Sequence, residues 1–132
     1  MVSHREGKDV AILTYGVLIN NALKAAELLA ETGVETSVLR LLSVSDLPID
    51  HIAKQLPANG MLFVVEEVSG KCGIAQELAY ELQKLRPDCK VVGTDLGKQY
   101  VCHGNLDTLY EHYGLSPEAI KTWILEEQGS EN

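Results

Sequence analysis

The 132-residue sequence has no long apolar run, no basic stretch and no paired set of cysteines. Its longest hydrophobic runs, such as "MLFVV" from Met61, fall far short of the roughly 20 residues a membrane helix needs, so no span is expected. The 11 Lys and Arg face 19 Asp and Glu, a formal charge of −8. That balance repels nucleic acid and anionic membranes at long range, and no local basic run reverses it. The cysteines are odd in number, Cys72, Cys89 and Cys102, and none stands in a CxxC pair. With an opening, "MVSHREGKD", too polar for a secretory leader, they point to reduced thiols and the cytosol. Linkers, low-complexity segments and internal repeats are missing too, so residues 1–132 read as a single domain. A 45% hydrophobic composition suffices for its core without disulfides or metal.

What is present alternates between two periodicities. "DVAILTYG" (Asp9 to Gly16) is a β-branched run closed by glycine, and the Leu and Ala of "VLINNALKAAELLAETG" recur at helical spacing up to Gly33. "ETSVLRLL" (Glu35 to Leu42) reads as the next strand, and Pro48 and Asp50 open a short helix in "DLPIDHIAKQL". "GMLFVVEE" is apolar without alternation, as a strand covered on both faces should be. The helix "GIAQELAYELQKLR" stops at Pro87, and the strand "KVVGTDLG" follows it. Two further helices are expected in "NLDTLYEHY" and in "SPEAIKTWILEEQ", the latter with Ser116 as N-cap and Pro117 at its first position. Residues 129–132 read as a frayed tail. Such alternation implies right-handed crossovers and a three-layer α/β/α sandwich around a mostly parallel sheet. Ligands of these folds gather at the carboxyl ends of the strands: here Tyr15-Gly16, Leu42 to Asp46, Glu66 to Gly73 and Thr94 to Gly97.

The richest of these places is "EEVSGKCG", Glu66 to Gly73. Val65 and Cys72 stand where a Walker loop needs glycine and a hydroxyl, and no GxGxxG follows any strand, so no nucleotide class is supported. If the strand continues through Glu66 and Glu67, their side chains point to opposite faces, one to the crevice and one to a covering helix, which rules out a paired acid and base. Cys72, beside Lys71 and near a helix start, is either a thiol of lowered pKa or a small residue packed in a turn. Amides around Gly70 and Gly73 either bind an anion or simply form that turn. Cys102-His103 lacks the further ligands a metal site needs, since His51 and His112 do not supply the spacing.

"REGKDVAILTYGVLINNALKAAELLAETGVETSVLRLLSVSDLPID", "LFVVEE" and "YVCHGNLDTLYEHYGLSPEAI" together resemble the C-terminal domain of transketolase-like, thiamin-diphosphate-dependent enzymes, and most of all that of 1-deoxy-D-xylulose-5-phosphate synthases. The resemblance covers about residues 5–124. It is most specific in the "EE" closing the third strand and in "HG" followed by "YGL" and a final helix. Where the family's synthases carry GGxG after the glutamates, this sequence has Gly70-Lys71-Cys72-Gly73. Where the family has an edge strand before the first parallel strand, only Val2 to Arg5 remain to form it.

The resemblance implies a transferase whose pyrimidine- and pyrophosphate-binding domains hold thiamin diphosphate and Mg, and whose third domain packs on them and helps assemble a homodimer. Among synthases of this kind the pathway served is isoprenoid biosynthesis. The present sequence has no GDG followed by asparagine, the family's metal-diphosphate motif. The expectation is therefore an excised or naturally split assembly domain with no catalytic, cofactor or metal residues of its own, inactive alone and cytoplasmic. The alternative is a free-standing regulatory module that binds a small phosphorylated ligand at the strand carboxyl ends. Candidate crevice or interface residues are Tyr15, Glu67, Gly70, Gly73, Tyr100, His103 and Gly104. A contiguous apolar patch is expected near Val68, Tyr100, Val101 and Leu106, unless Tyr100 and Val101 tuck under the last helix with Trp123 and Ile124. A third reading, a thiol enzyme at Cys72, competes with both.

Overall fold

A computed structural model of the chain describes residues 1–43, 45–66, 74–93 and 116–130, with Gln76, Gly129 and Ser130 described by backbone alone. Among the described residues five strands form one sheet: β1 (Val2–Arg5), β2 (Val10–Tyr15), β3 (Thr36–Leu41), β4 (Met61–Val65) and β5 (Lys90–Gly93). Their spatial order is β1-β3-β2-β4-β5. All neighbours run parallel except β1, which pairs antiparallel with β3 at the edge. Val2–Arg5 therefore does form the edge strand, with an irregular register between Ser3 and Arg5.

Side chains alternate across each strand, and because helices cover both faces, both sets are apolar. Val10, Ile12, Val38, Met61, Phe63 and Val65 pack under α1 (Ile19–Glu31) and α4 (Pro117–Ser130). Ala11, Leu13, Leu39, Leu62 and Val64 pack under α2 (Ile49–Gln55) and α3 (Ala75–Leu85). On the first face the fully buried Phe63 meets half-buried Trp123 edge to face, ring centroids 5.0 Å apart. Ile124 is buried beside it. The three-layer α/β/α arrangement is the one expected.

Local chemistry sets the element ends. The Ser116 hydroxyl accepts the Ala119 N–H at 3.2 Å, and Pro117 opens α4, an N-cap and first-turn proline as read from the sequence. The helix runs through Gly129 and Ser130 rather than fraying there. The cost of a helical glycine, about 1 kcal/mol relative to alanine, does not stop the hydrogen-bond ladder. Between β2 and α1 the chain makes one 3-10 turn, Gly16–Leu18, because Gly16 takes φ +67°, which an ordinary side chain resists. The helix therefore begins at Ile19, two residues later than the periodicity suggests. The expected helix at 105–113 and the last part of "KVVGTDLG" lie outside the described residues.

After β2, the chain crosses through α1 to β3 on one side, and after β3 it returns through α2 to β4 on the other. The strand order thus reverses across β2 and β4, and their carboxyl ends flank the crevice where sheets of this kind place their ligands.

Candidate functional site

The last rung between β2 and β4 pairs Thr14 with Val65. The buried Thr14 hydroxyl donates to the Val65 carbonyl oxygen at 2.8 Å, a side-chain bond added to the ladder. One residue further on each strand stand Tyr15 and Glu66. By the alternation of Leu13 and Val64 before them, both turn to the α2/α3 face. There the Tyr15 hydroxyl donates to Glu66 Oε1 at 3.0 Å.

Glu66 is only 1% exposed, and both its oxygens accept hydrogen bonds from the start of α3. The Ile74 N–H donates to Oε1 at 2.8 Å and the Ala75 N–H to Oε2 at 3.3 Å. A helix start presents unpaired N–H groups and the positive end of the dipole, so a carboxylate is well placed there. Three donors also offset the cost of burying it. β4 ends at Val65, and Glu66 is the glutamate turned to the covering helix. Its partner in the sequence motif, Glu67, lies outside the described residues, as do Gly70, Gly73, Tyr100, His103 and Gly104. Of the candidates named from the sequence, Tyr15 alone is seen, at the mouth of the crevice.

Glu66 is a residue of this strand end that the sequence pattern does not single out beside Glu67. Strand parity is the signal that finds it, since Glu66 shares the face of Leu62 and Val64, and Ile74, the N-cap residue of α3, comes eight residues later. Burial, and then the Glu66 charge and hydrogen bond, push the Tyr15 phenol up to about 12. The pair is built to keep Tyr15 protonated and donating, which suits a strut rather than a proton carrier.

Glu66 takes the Ile74 and Ala75 N–H groups at this helix start, whereas the amides around Gly70 and Gly73 read as a candidate anion site lie outside the described residues. No cluster of three or more His, Cys, Asp or Glu able to hold a metal occurs among the described residues. Beside the crevice, two apolar side chains face outward: Val17 is 71% exposed and Leu42 67%. They follow Tyr15 and Leu41, which pair across β2 and β3, so they share one end of the sheet. The expected patch at Val68, Tyr100, Val101 and Leu106 lies outside the described residues.

The model of the transketolase C-terminal domain matches residues 1–120. The chain belongs to the transketolase C-terminal domain family. Among its relatives, 1-deoxy-D-xylulose-5-phosphate synthase of Chlorobaculum tepidum is 30% identical over 122 residues, covering 92% of this chain and 19% of that protein. The beta subunit of acetoin:2,6-dichlorophenolindophenol oxidoreductase of Cupriavidus necator is 38% identical over 78 residues, 59% of this chain and 23% of that protein. One of the subunits of apulose-4-phosphate transketolase of Phocaeicola vulgatus is 28% identical over 121 residues, 92% of this chain and 38% of that protein. Among solved structures, a split-gene transketolase in an inactive beta4 tetramer superposes with a TM-score of 0.82 at 24% identity, covering 95% of this chain and 41% of that one. That likeness shows the fold. The chain spans between 19% and 38% of the length of these curated relatives.

Proposed function

We propose that this domain is the C-terminal assembly domain of a thiamin-diphosphate-dependent enzyme, a 1-deoxy-D-xylulose-5-phosphate synthase or a transketolase. It packs on pyrimidine- and pyrophosphate-binding domains, excised from them or carried on a separate polypeptide, and supports a homodimer. Thiamin diphosphate and Mg belong to those other domains, and the isolated domain neither binds the cofactor nor catalyses.

The observation that carries the reading is one of proportion: nearly the whole chain matches the synthase and the apulose-4-phosphate transketolase subunit, and it accounts for about a fifth and two fifths of their lengths. The exposed Val17 and Leu42 support it, because apolar side chains at a sheet end are better covered by protein than left in water. Relatives of more than one activity match, so the choice between a synthase and a transketolase rests on the sequence resemblance.

The test is capture from the source cells with a tag on the chromosomal copy of the sequence. The expected product carries thiamin-diphosphate-binding sequence, either in the same polypeptide or in a stoichiometric second one identified by mass spectrometry. A tagged polypeptide of this size that purifies alone, without such sequence, would overturn the proposal.

A further inference from the structure

We infer that Tyr15 and Glu66 form a conformational latch that makes the turn after β2 and the first turn of α3 move as one unit. Glu66 holds Tyr15 on one side and the Ile74 and Ala75 N–H groups on the other. Its carboxylate is the shared partner of two elements otherwise separated by 59 residues of sequence, Tyr15 to Ile74. Tyr15 also leads directly into the Gly16–Leu18 turn, whose Val17 is the most exposed large hydrophobic residue described. A displacement of that turn must stretch the Tyr15 bond, shift Glu66 and loosen the α3 start. By reciprocity, loosening α3 must free the turn. The buried site gives the carboxylate little water to replace a lost donor, so the three bonds hold or fail together.

The latch rests on contacts inside this chain and is independent of the assembly reading. Its test is amide hydrogen exchange by NMR on the isolated chain, comparing wild type, Tyr15→Phe, Glu66→Gln and the double variant. Tyr15→Phe keeps the ring and removes only the donor, so the fold survives even if Glu66→Gln does not. In Tyr15→Phe, exchange at Ile74 and Ala75 should quicken roughly tenfold, the low end of the range expected for losing one hydrogen bond to a charged group. Amides on the far side of the sheet, such as Leu29, should keep their rates. In Glu66→Gln, Leu18, whose N–H closes the first bond of the Gly16–Leu18 turn, should quicken, and the double variant should change no more than the larger single one. Unchanged Ile74 and Ala75 in a folded Tyr15→Phe protein, or effects that simply add, would overturn the latch.

Discussion

Tyr15 and Glu66 stand opposite each other one residue beyond the last paired rung of β2 and β4, joined by a 3.0 Å hydrogen bond. The bond ties the carboxyl ends of the two strands together on the α2/α3 face. Removing its two ends should have unequal effects. Tyr15→Phe should cost about 1.5 kcal/mol, one hydrogen bond to a carboxylate at a half-buried site. Glu66→Ala should cost about 3 kcal/mol or more, because it leaves two helix-start N–H groups and the Tyr15 hydroxyl without that acceptor. Urea unfolding of both variants measures the difference, and equal costs would mean that Glu66 does not serve several donors at once.

The raised Tyr15 pKa makes part of the stability depend on alkaline pH. The folded chain keeps the Tyr15 proton up to about 12, whereas the unfolded chain loses it near 10.0. The contribution is therefore fully present below 10.0 and lost as the pH rises through about 12. Over that interval the stability advantage of wild type over Tyr15→Phe should shrink. The near-ultraviolet phenolate signal of the native protein should contain one late step that the variant lacks.

Cys89 should be a slow thiol. Burial and the neighbouring Asp88 charge raise its pKa above the ordinary thiol value, with Arg86 opposing them more weakly. In a chain with Cys72 and Cys102 replaced by serine, iodoacetamide at neutral pH should modify Cys89 more slowly than free cysteine. Faster modification would place a cation closer to the sulfur than Arg86 now stands.

Two glycines with positive φ should respond differently to alanine. At Gly60, φ +73°, an added Cβ would lie 2.8 Å from the Asp88 carbonyl oxygen and the Cys89 Cα, so backbone must move. At Gly16, φ +67°, it would meet nothing within 4 Å. Gly16→Ala should therefore cost only the left-handed conformation, about 1–2 kcal/mol. Gly60→Ala should cost more, and thermal unfolding of the two variants ranks them.

The layers and most element limits are legible in the sequence because they follow from short-range rules. The unbroken apolar run "MLFVV" marks a strand covered on both faces. Ser116-Pro117 marks a helix start, and both are found as expected. The 3-10 turn at Gly16–Leu18 is not legible, since Val17 and Leu18 fit the helical period as well as Ile19 does. Of the candidate residues at the strand carboxyl ends, only Tyr15 falls among the described residues. Tyr15 stands out by its position at a strand end. Glu66 does not, because adjacent glutamates look equivalent until it is known which of them shares a face with the start of α3. The exposure of Val17 and Leu42 is not legible either, because it depends on how far each strand end projects beyond its covering helices.

The proposed assembly places the thiamin diphosphate site in other domains. Its most direct test is calorimetric titration of thiamin diphosphate with Mg into the isolated 132-residue chain, and then into the chain within the polypeptide or complex captured from source cells. No binding heat is expected from the chain alone, and saturable binding is expected from the captured assembly. Micromolar binding by the chain alone would contradict that placement.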